Sequence, residues 1–426
     1  MPGNRTTRSW ALALTLALSA LGTGCSGGSD QATGDKTVLR YTWWGNPDRA
    51  ERTEKAIALF EKQHPRIDIQ TSFAGYEAYK QKLATQAAGG DAPDVMQLDY
   101  RQIDQYAQGG ILLDLGTQST VLDTSDIDPG LLATGKVDDT QYAIPQGRGT
   151  ETFAYDAQQW KKAGVDLPAN GWTWDDWANA VRTVSERTGK PGSVDPGQSE
   201  DVFEAWLRGQ GKSLYTRDGD PGFTADDLTR YWIFTDGLRR EGAVSAAEDT
   251  TQVDGTVENT PLGRGTASGD FNWDAPTAGF VPILGDNLVL GPLPAGPAGV
   301  GQYFKPSMFM AVADSTGHPK EAAEFIDFMV NDIDAARILG ATRSIPVNDT
   351  ARDTVVPELT GIDKQIADFQ QSVEGELKPP PQAPPSGDSG LQTTFMRDYD
   401  QVSFGKLSPR EAAENYLTEA KAELRQ

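Results

Sequence analysis

Trp43 and Trp44 stand side by side at the end of the apolar run VLRYTWW (38–44), and Asn46-Pro47 opens a helix directly after them. Large aromatics at the mouth of a strand offer flat apolar faces with a polar tip, which suits stacking and hydrogen bonding rather than covalent chemistry. The remaining inventory agrees. The chain has one cysteine, Cys25, and two histidines, His64 and His318. A Cys/His zinc site cannot be assembled from these, and neither HExxH nor CxxC occurs. Each histidine precedes a proline, which marks a helix boundary rather than a triad position. No calcium-loop motif is visible, and no metal or cofactor is expected.

The chain has 426 residues, room for two or three domains, with 61 acidic against 38 basic residues and a net charge of −23. Such a surface repels phosphate backbones, so no nucleic-acid partner is expected. Residues 1–9 carry Arg5 and Arg8 and no acid, and WALALTLALSAL (10–21) is apolar but too short to span a bilayer, which takes about 20 residues. With the small residues before Cys25, this reads as a signal peptide over 1–24. The lone cysteine after it resembles the acylated residue of a bacterial lipoprotein, although Gly22 stands where that pattern favours leucine. Residues 25–36 form a Gly/Ser-rich flexible tether. The expected location is the extracellular face of the cell membrane, with a lipid on Cys25; without the lipid the protein is secreted.

The body starts with alternating elements. VLRYTWW is a strand, Asn46 and Pro47 start a helix down to Gln63, and RIDIQTSF (66–73) alternates as a strand does. A helix over 76–90 and the strand DVMQLDY (94–100) follow. Strand and helix in alternation predict a parallel α/β layer, in which ligands bind beyond the carboxyl ends of strands. Trp43, Trp44, Asp99 and Tyr100 all fall at such ends. QYAIPQGRGTETFAYD (141–156) predicts two strands with a Gly-rich joint, a crossing between lobes. Capping pairs Thr173/Asp176, Thr224/Asp227 and Ser408/Glu411 start three later helices. KPPPQAPPSGDSG (378–390) reads as a stiff surface excursion.

The segments LRYTWWG, LFEKQHPRIDI, ATQAAGGDAPDV, GGILLDL, QYAIP, GWTWDDW, HPKEAAEFIDFMV and RSIPVN together give the chain its resemblance. It resembles the extracellular solute-binding proteins of ABC importers, in their carbohydrate-binding, maltose-binding-protein-like branch. The resemblance implies an α/β, two-lobed periplasmic-binding-protein-like fold of type II, with hinge-connected, discontinuous lobes and a ligand cleft between them. It places lobe one at 37–147 and 306–333, and lobe two at 148–305 and 334–426. It implies a monomer that captures a sugar or oligosaccharide without a covalent step and delivers it to membrane permease subunits.

A sugar ring needs flat aromatic surfaces for its C–H face and planar polar groups for its hydroxyl edge. Stacking is assigned to Trp43, Trp44, Tyr76, Trp206, Trp273 and Tyr303, and hydrogen bonding to Asp99, Arg148 and Arg343, with Tyr100 beside them and Glu204, Asn46 and Asn272 in support. Successive strand residues face opposite ways, so one of Trp43 and Trp44 lines the cleft and the other packs. Trp172, Trp174 and Trp177 open an amphipathic helix and belong to a core. Arg148 and Arg343 read equally as hinge residues. Three rival readings stay open. One is a glycoside hydrolase, whose carboxylate pair would stand about 5–5.5 or 6.5–9.5 Å apart. The second is a binder of polyamines, amino acids or peptides, with Asp99 and Glu204 as ion partners. The third is a sensor that reports occupancy to a membrane kinase.

Overall fold

The computed structural model describes residues 36–253 and 256–424. The predicted signal peptide, Cys25 and all of the tether but Lys36 lie outside the described residues.

Strand β1 (Thr37–Trp44) leads into helix α1 (Pro47–Gln63). The Asn46 side chain accepts a hydrogen bond from Arg49 N at 2.9 Å, which starts the helix, and Ala50, Thr53, Ile57 and Phe60 form its buried stripe. Strands β2 (Ile67–Ala74) and β3 (Val95–Leu98) flank β1, both parallel to it, with α2 (Tyr76–Ala88) between them in sequence. The predicted parallel layer is therefore present, but it is one side of a larger mixed sheet. Strand β4 (Ala143–Gly149) and two strands from far along the chain, β8 (Lys305–Val312) and β9 (Ile345–Pro346), complete it in the order β9-β4-β8-β3-β1-β2. β8 runs antiparallel to both β3 and β4. One face packs Tyr41, Trp43 and Met310 beneath α1 and α4 (Pro319–Asn331); the other packs Met96, Leu98 and Phe309 against Tyr79 of α2.

The second sheet is antiparallel and has three strands, β6-β5-β7, formed by Glu151–Asp156 (β5), Gly269–Trp273 (β6) and Leu288–Gly291 (β7). Phe153 and Phe271 pair across it, and Trp160, Trp174 and Trp177 build the core above them. Helix α3 (Glu200–Gly209) and helix α6 (Asp388–Ser403) share a neighbouring core through Phe203, Leu207, Phe395 and Tyr399.

Two lobes thus each own a sheet and a core. The chain passes between them at Thr150, the one residue separating β4 from β5. Its amide donates to Asp274 Oδ2 at 3.0 Å and its hydroxyl to Tyr303 O at 2.8 Å. A Cβ on Gly149 would lie 2.9 Å from Asp274 Oδ1, so the crossing is closely fitted. The return boundary differs from the expected 333/334. Helix α5 (Ile333–Leu339) buries Ala335 and Leu339 in the first-lobe core beside α1, and β9 pairs with β4. Burying a large apolar side chain contributes about 1.5–3 kcal/mol, and Leu339 is buried on the α1 side, while Ala336 packs on Ala351 and Val355. Residues 334–347 therefore stay with lobe one.

Candidate ligand site between the lobes

The second lobe presents helix α3 by its N-terminus. Ser199 caps it, its Oγ accepting from Val202 N at 3.2 Å, and Glu200 and Asp201 occupy the first turn, where the helix dipole favours negative charge. Glu204 lies one turn further on. Opposite them, the first lobe offers Arg101, held by a compact turn after β3. Asp99 Oδ1 accepts from Arg101 N at 3.0 Å, and Gln102 Oε1 accepts from Asp99 N at 3.0 Å.

Arg101 crosses the gap. Its guanidinium contacts Asp201 Oδ1 at 2.7 Å and Glu200 Oε2 at 3.4 Å, and it pairs closely with Asp388 of α6. The other oxygens are also engaged. Tyr416 OH donates to Glu200 Oε1 at 2.8 Å, Tyr215 OH to Asp388 Oδ1 at 2.6 Å, and Trp273 Nε1 to Asp201 Oδ2 at 3.0 Å. Burial alone would lower the Arg101 pKa, but Asp388, Asp201 and Glu200 outweigh it and hold the guanidinium charged. Three buried carboxylates facing one such cation cannot all be stabilised as ions. Burial and then Asp388 push Glu200 up to about 8, against the pull of Arg101.

Beside this bridge, Tyr303 OH donates to Glu204 Oε2 at 2.8 Å, and Arg208 lies over the Tyr303 ring at 4.6 Å. Lys305 Nζ stands 3.7 Å above the Trp273 ring, a cation–π distance. Glu151 pairs with Trp273 across β5 and β6. Its side chain is buried, and burial, then Asp201 and Glu204, push its pKa well up. The proline-rich segment joins the two walls. Tyr100 OH donates to Pro381 O at 2.8 Å and Gln382 O at 2.7 Å, and Ser386 N donates to Asp104 Oδ2 at 2.9 Å. It is a strap between lobes, not the surface excursion its composition predicts, because prolines keep acceptor carbonyls that a buried phenol can use.

Of the residues expected at the site, the fold brings Tyr100, Glu204, Trp273 and Tyr303 to this interlobe region. Asp99 holds the Arg101 turn, and Asn272 is half-buried next to Trp273. Trp44 is half-buried at the end of β1, edge-on to Tyr76 at 5.4 Å, and Tyr76 is exposed with Lys80 Nζ 4.5 Å from its ring. Trp43 is core: it is fully buried and stacks on Tyr41 at 4.9 Å and Phe73 at 5.8 Å. Its face of β1 is the one that α4 covers, which leaves it no route to a ligand in this form. Trp206 is half-buried against Phe203 and Tyr231. Asn46 serves α1 as its cap. Arg148 is at the hinge, paired with Glu374 at 2.7 Å and lying 4.0 Å from the Phe304 ring. Arg343 is buried beneath α1, donating from Nη2 to Thr53 Oγ1 at 2.7 Å, away from the Trp273 group. Sequence reasoning missed Arg101, Glu151, Glu200, Asp201, Arg208, Lys305 and Asp388. The rule that selected Asp99, position at a strand's carboxyl end, would have selected Arg101 two residues on.

A sequence profile of the bacterial extracellular solute-binding proteins matches residues 46–336. The chain belongs to that family. This solute-binding protein is similar to a family 1 extracellular solute-binding protein of Alicyclobacillus acidocaldarius, with 30% identity over 92% of this chain and 100% of that one, and a TM-score of 0.74. The diacetylchitobiose binding protein DasA of Streptomyces coelicolor is 26% identical over 72% of each chain. An uncharacterized lipoprotein of Streptomyces antibioticus is 26% identical over 82% of this chain and 77% of its own. The solute-binding protein thus has the two-lobed periplasmic-binding fold, and the charged, aromatic contact described above lies where its lobes meet.

Proposed function

We propose that this protein captures a sugar or oligosaccharide between its lobes, without chemistry, and presents the closed form to the permease of an ABC importer. The observation that carries the reading is Trp273, half-exposed at the end of β6, with its indole N–H on Asp201 and the Glu204–Tyr303 pair beside it. An aromatic face next to planar acceptors is what a sugar's apolar face and hydroxyl edge require. The ligand named for the Streptomyces coelicolor relative, diacetylchitobiose, supports it. Ligand acts by its greater affinity for the closed state, and the permease reads that state. Anchoring through a lipid on Cys25, at the outer face of the membrane and as a monomer, completes the proposal; the lipoprotein relative supports the anchor.

The test is thermal melting and tryptophan fluorescence of the protein against a panel of mono- and oligosaccharides. A ligand at 100 times its Kd adds about 2.7 kcal/mol of stability. A rise in melting temperature with one sugar series is the expected result. No shift with any sugar of the panel, together with a shift from a peptide or polyamine, overturns the sugar reading.

A further inference from the structure

Two residues that the sequence offered to the ligand site, Trp43 and Arg343, belong instead to a buried polar layer beneath α1. Tyr41 and Trp43 stack at 4.9 Å on the face of the first sheet that α1 covers. The β1–β3 register sets Gln97 beside Trp43, and Gln146 is two residues along β4 from Ile144, which packs on that same face. The Arg343 guanidinium reaches in under the helix, its Nη2 donating to Thr53 Oγ1 at 2.7 Å. Tyr41, Trp43 and Gln97 are fully buried, and Arg343 is 4% exposed. Yet Tyr41 OH, Trp43 Nε1, both amide atoms of Gln97 and of Gln146, and Nε and Nη1 of Arg343 have no hydrogen-bond partner. Buried polar groups normally find one.

The unmet groups call for negative charge. Arg343 Nε, Arg343 Nη1 and Trp43 Nε1 can only donate, and the phenol and the two carboxamides can donate as well. Arg101, Arg148 and Arg239 are also largely buried, and each pairs with a carboxylate. Arg343 forms no ion pair among the described residues, and neither does its neighbour Arg49, whose Nε and Nη1 donate to the carbonyls of Thr342 at 2.8 Å and Trp44 at 3.1 Å. The charges acting on Tyr41 are these two guanidiniums, and burial followed by the Arg343 charge lowers the Arg49 pKa to about 10. Two cations thus stand together with no carboxylate between them. Water would satisfy the donors and leave the charge uncompensated, a costly state for a buried ion. An anion would do both. The N-terminal end of α1, where Arg49 sits in the first turn, favours negative charge too.

We propose that lobe one encloses a small inorganic anion between α1 and its sheet, held by Arg343, Trp43 and Tyr41, with Gln97 and Gln146 around it and the half-buried Arg49 on its solvent side. The ion is taken up as the lobe folds, so it needs no path through the closed cleft. The site stands apart from the Trp273 group and is independent of what the cleft binds. Its role is to hold α1 and the segment carrying Arg343 onto the sheet.

Thermal melting tests this, on protein dialysed through urea into sodium gluconate and then titrated with chloride, bromide, nitrate or phosphate at constant ionic strength. The expected result is a melting temperature that rises and saturates with at least one of these ions. At 100 times its Kd the ion multiplies the folding constant about a hundredfold. Salts that act only by exclusion from the surface stabilise without saturating. Arg343→Met should abolish the saturating rise. Trp43→Phe, which keeps a ring but loses the indole donor, should weaken the Kd of the ion roughly tenfold, and it decides the matter if the first variant does not fold. No saturating rise with any of the four ions overturns the proposal, as does a rise whose Kd is unchanged in either variant.

Discussion

The two walls of the interlobe site carry opposite charge. Lobe one contributes Arg101 and Lys305; lobe two contributes Glu151, Glu200, Asp201, Glu204 and Asp388, with Arg208 on its own side. Neither wall is neutral alone. Open, each would rely on water; closed, each becomes the other's counter-charge. Closure in this protein is thus an electrostatic match as well as a packing event, and its strength depends on a few buried groups rather than on many surface pairs.

Removing the largest of these groups should break the match most. Arg101→Ala leaves three carboxylates facing the gap with no shared cation, and breaking a buried pair costs about 3–5 kcal/mol. The cleft can escape that cost by opening. We expect a larger radius of gyration in X-ray scattering and a lower melting temperature; an unchanged radius would mean the walls hold by packing alone.

Trp273→Ala tests the second wall, taking one indole donor from Asp201 but leaving Arg101 on its other oxygen. Loss of a central stacking ring typically costs about 2 kcal/mol or more, so sugar affinity should fall about 30-fold or further. The fold should persist, because the ring lies at the end of its sheet. Equal affinity in a titration would remove Trp273 from the site.

Acidity offers a third way in, since lobe two also buries acids outside the contact. Burial pushes Asp195 and Asp270 up to about 7 and Asp274 up to about 6. A carboxyl raised in the folded state binds more protons there than in the unfolded chain. Its stabilisation is complete below the unfolded pKa and is lost as pH rises through the folded value. Melting temperature should therefore be higher at pH 5 than at pH 8, and Asp270→Asn should flatten part of that slope. A protein more stable at pH 8 would contradict the protonated state of these groups.

The smallest effect belongs to the hinge pair. Arg148 is buried but Glu374 is half-exposed, so Glu374→Gln should change stability by only about 0–1 kcal/mol. That contrast with Arg101→Ala sharpens the point that burial, not the mere presence of an ion pair, sets the strength of a crossing.

Much of this was legible where it depended on neighbours in sequence. The alternation from β1 to β3, the Asn46 cap and the capping boxes at Thr173, Thr224 and Ser408 are local patterns, and the structure contains each of them. Strand alternation also said that Trp43 and Trp44 face apart. It could not say which face α4 would cover, because α4 lies some 280 residues later, so Trp43 was expected at the site and lies in the core. Glu151 was missed for the same reason, as were the partners of Arg101, whose own place just past β3 was legible. Their neighbours, Glu200, Asp388 and Trp273, sit on other elements, and no spacing rule links them. Arg343 looked like a ligand-binding cation because a lone arginine has no sequence feature that announces Thr53 as its partner.

The strap over 378–386 has a consequence for how opening can be watched. Prolines at 379–381, 384 and 385 have no amide hydrogen, so neither hydrogen exchange nor amide resonances report on them. Their rings fix the backbone torsion as well, and the strap should shift as a piece rather than unravel. The observer has to be on the other side of the contact. Tyr100, whose hydroxyl reads the Pro381 and Gln382 carbonyls, is that observer: a label on its ring would register lobe separation at the prolines, which have no amide proton to report it.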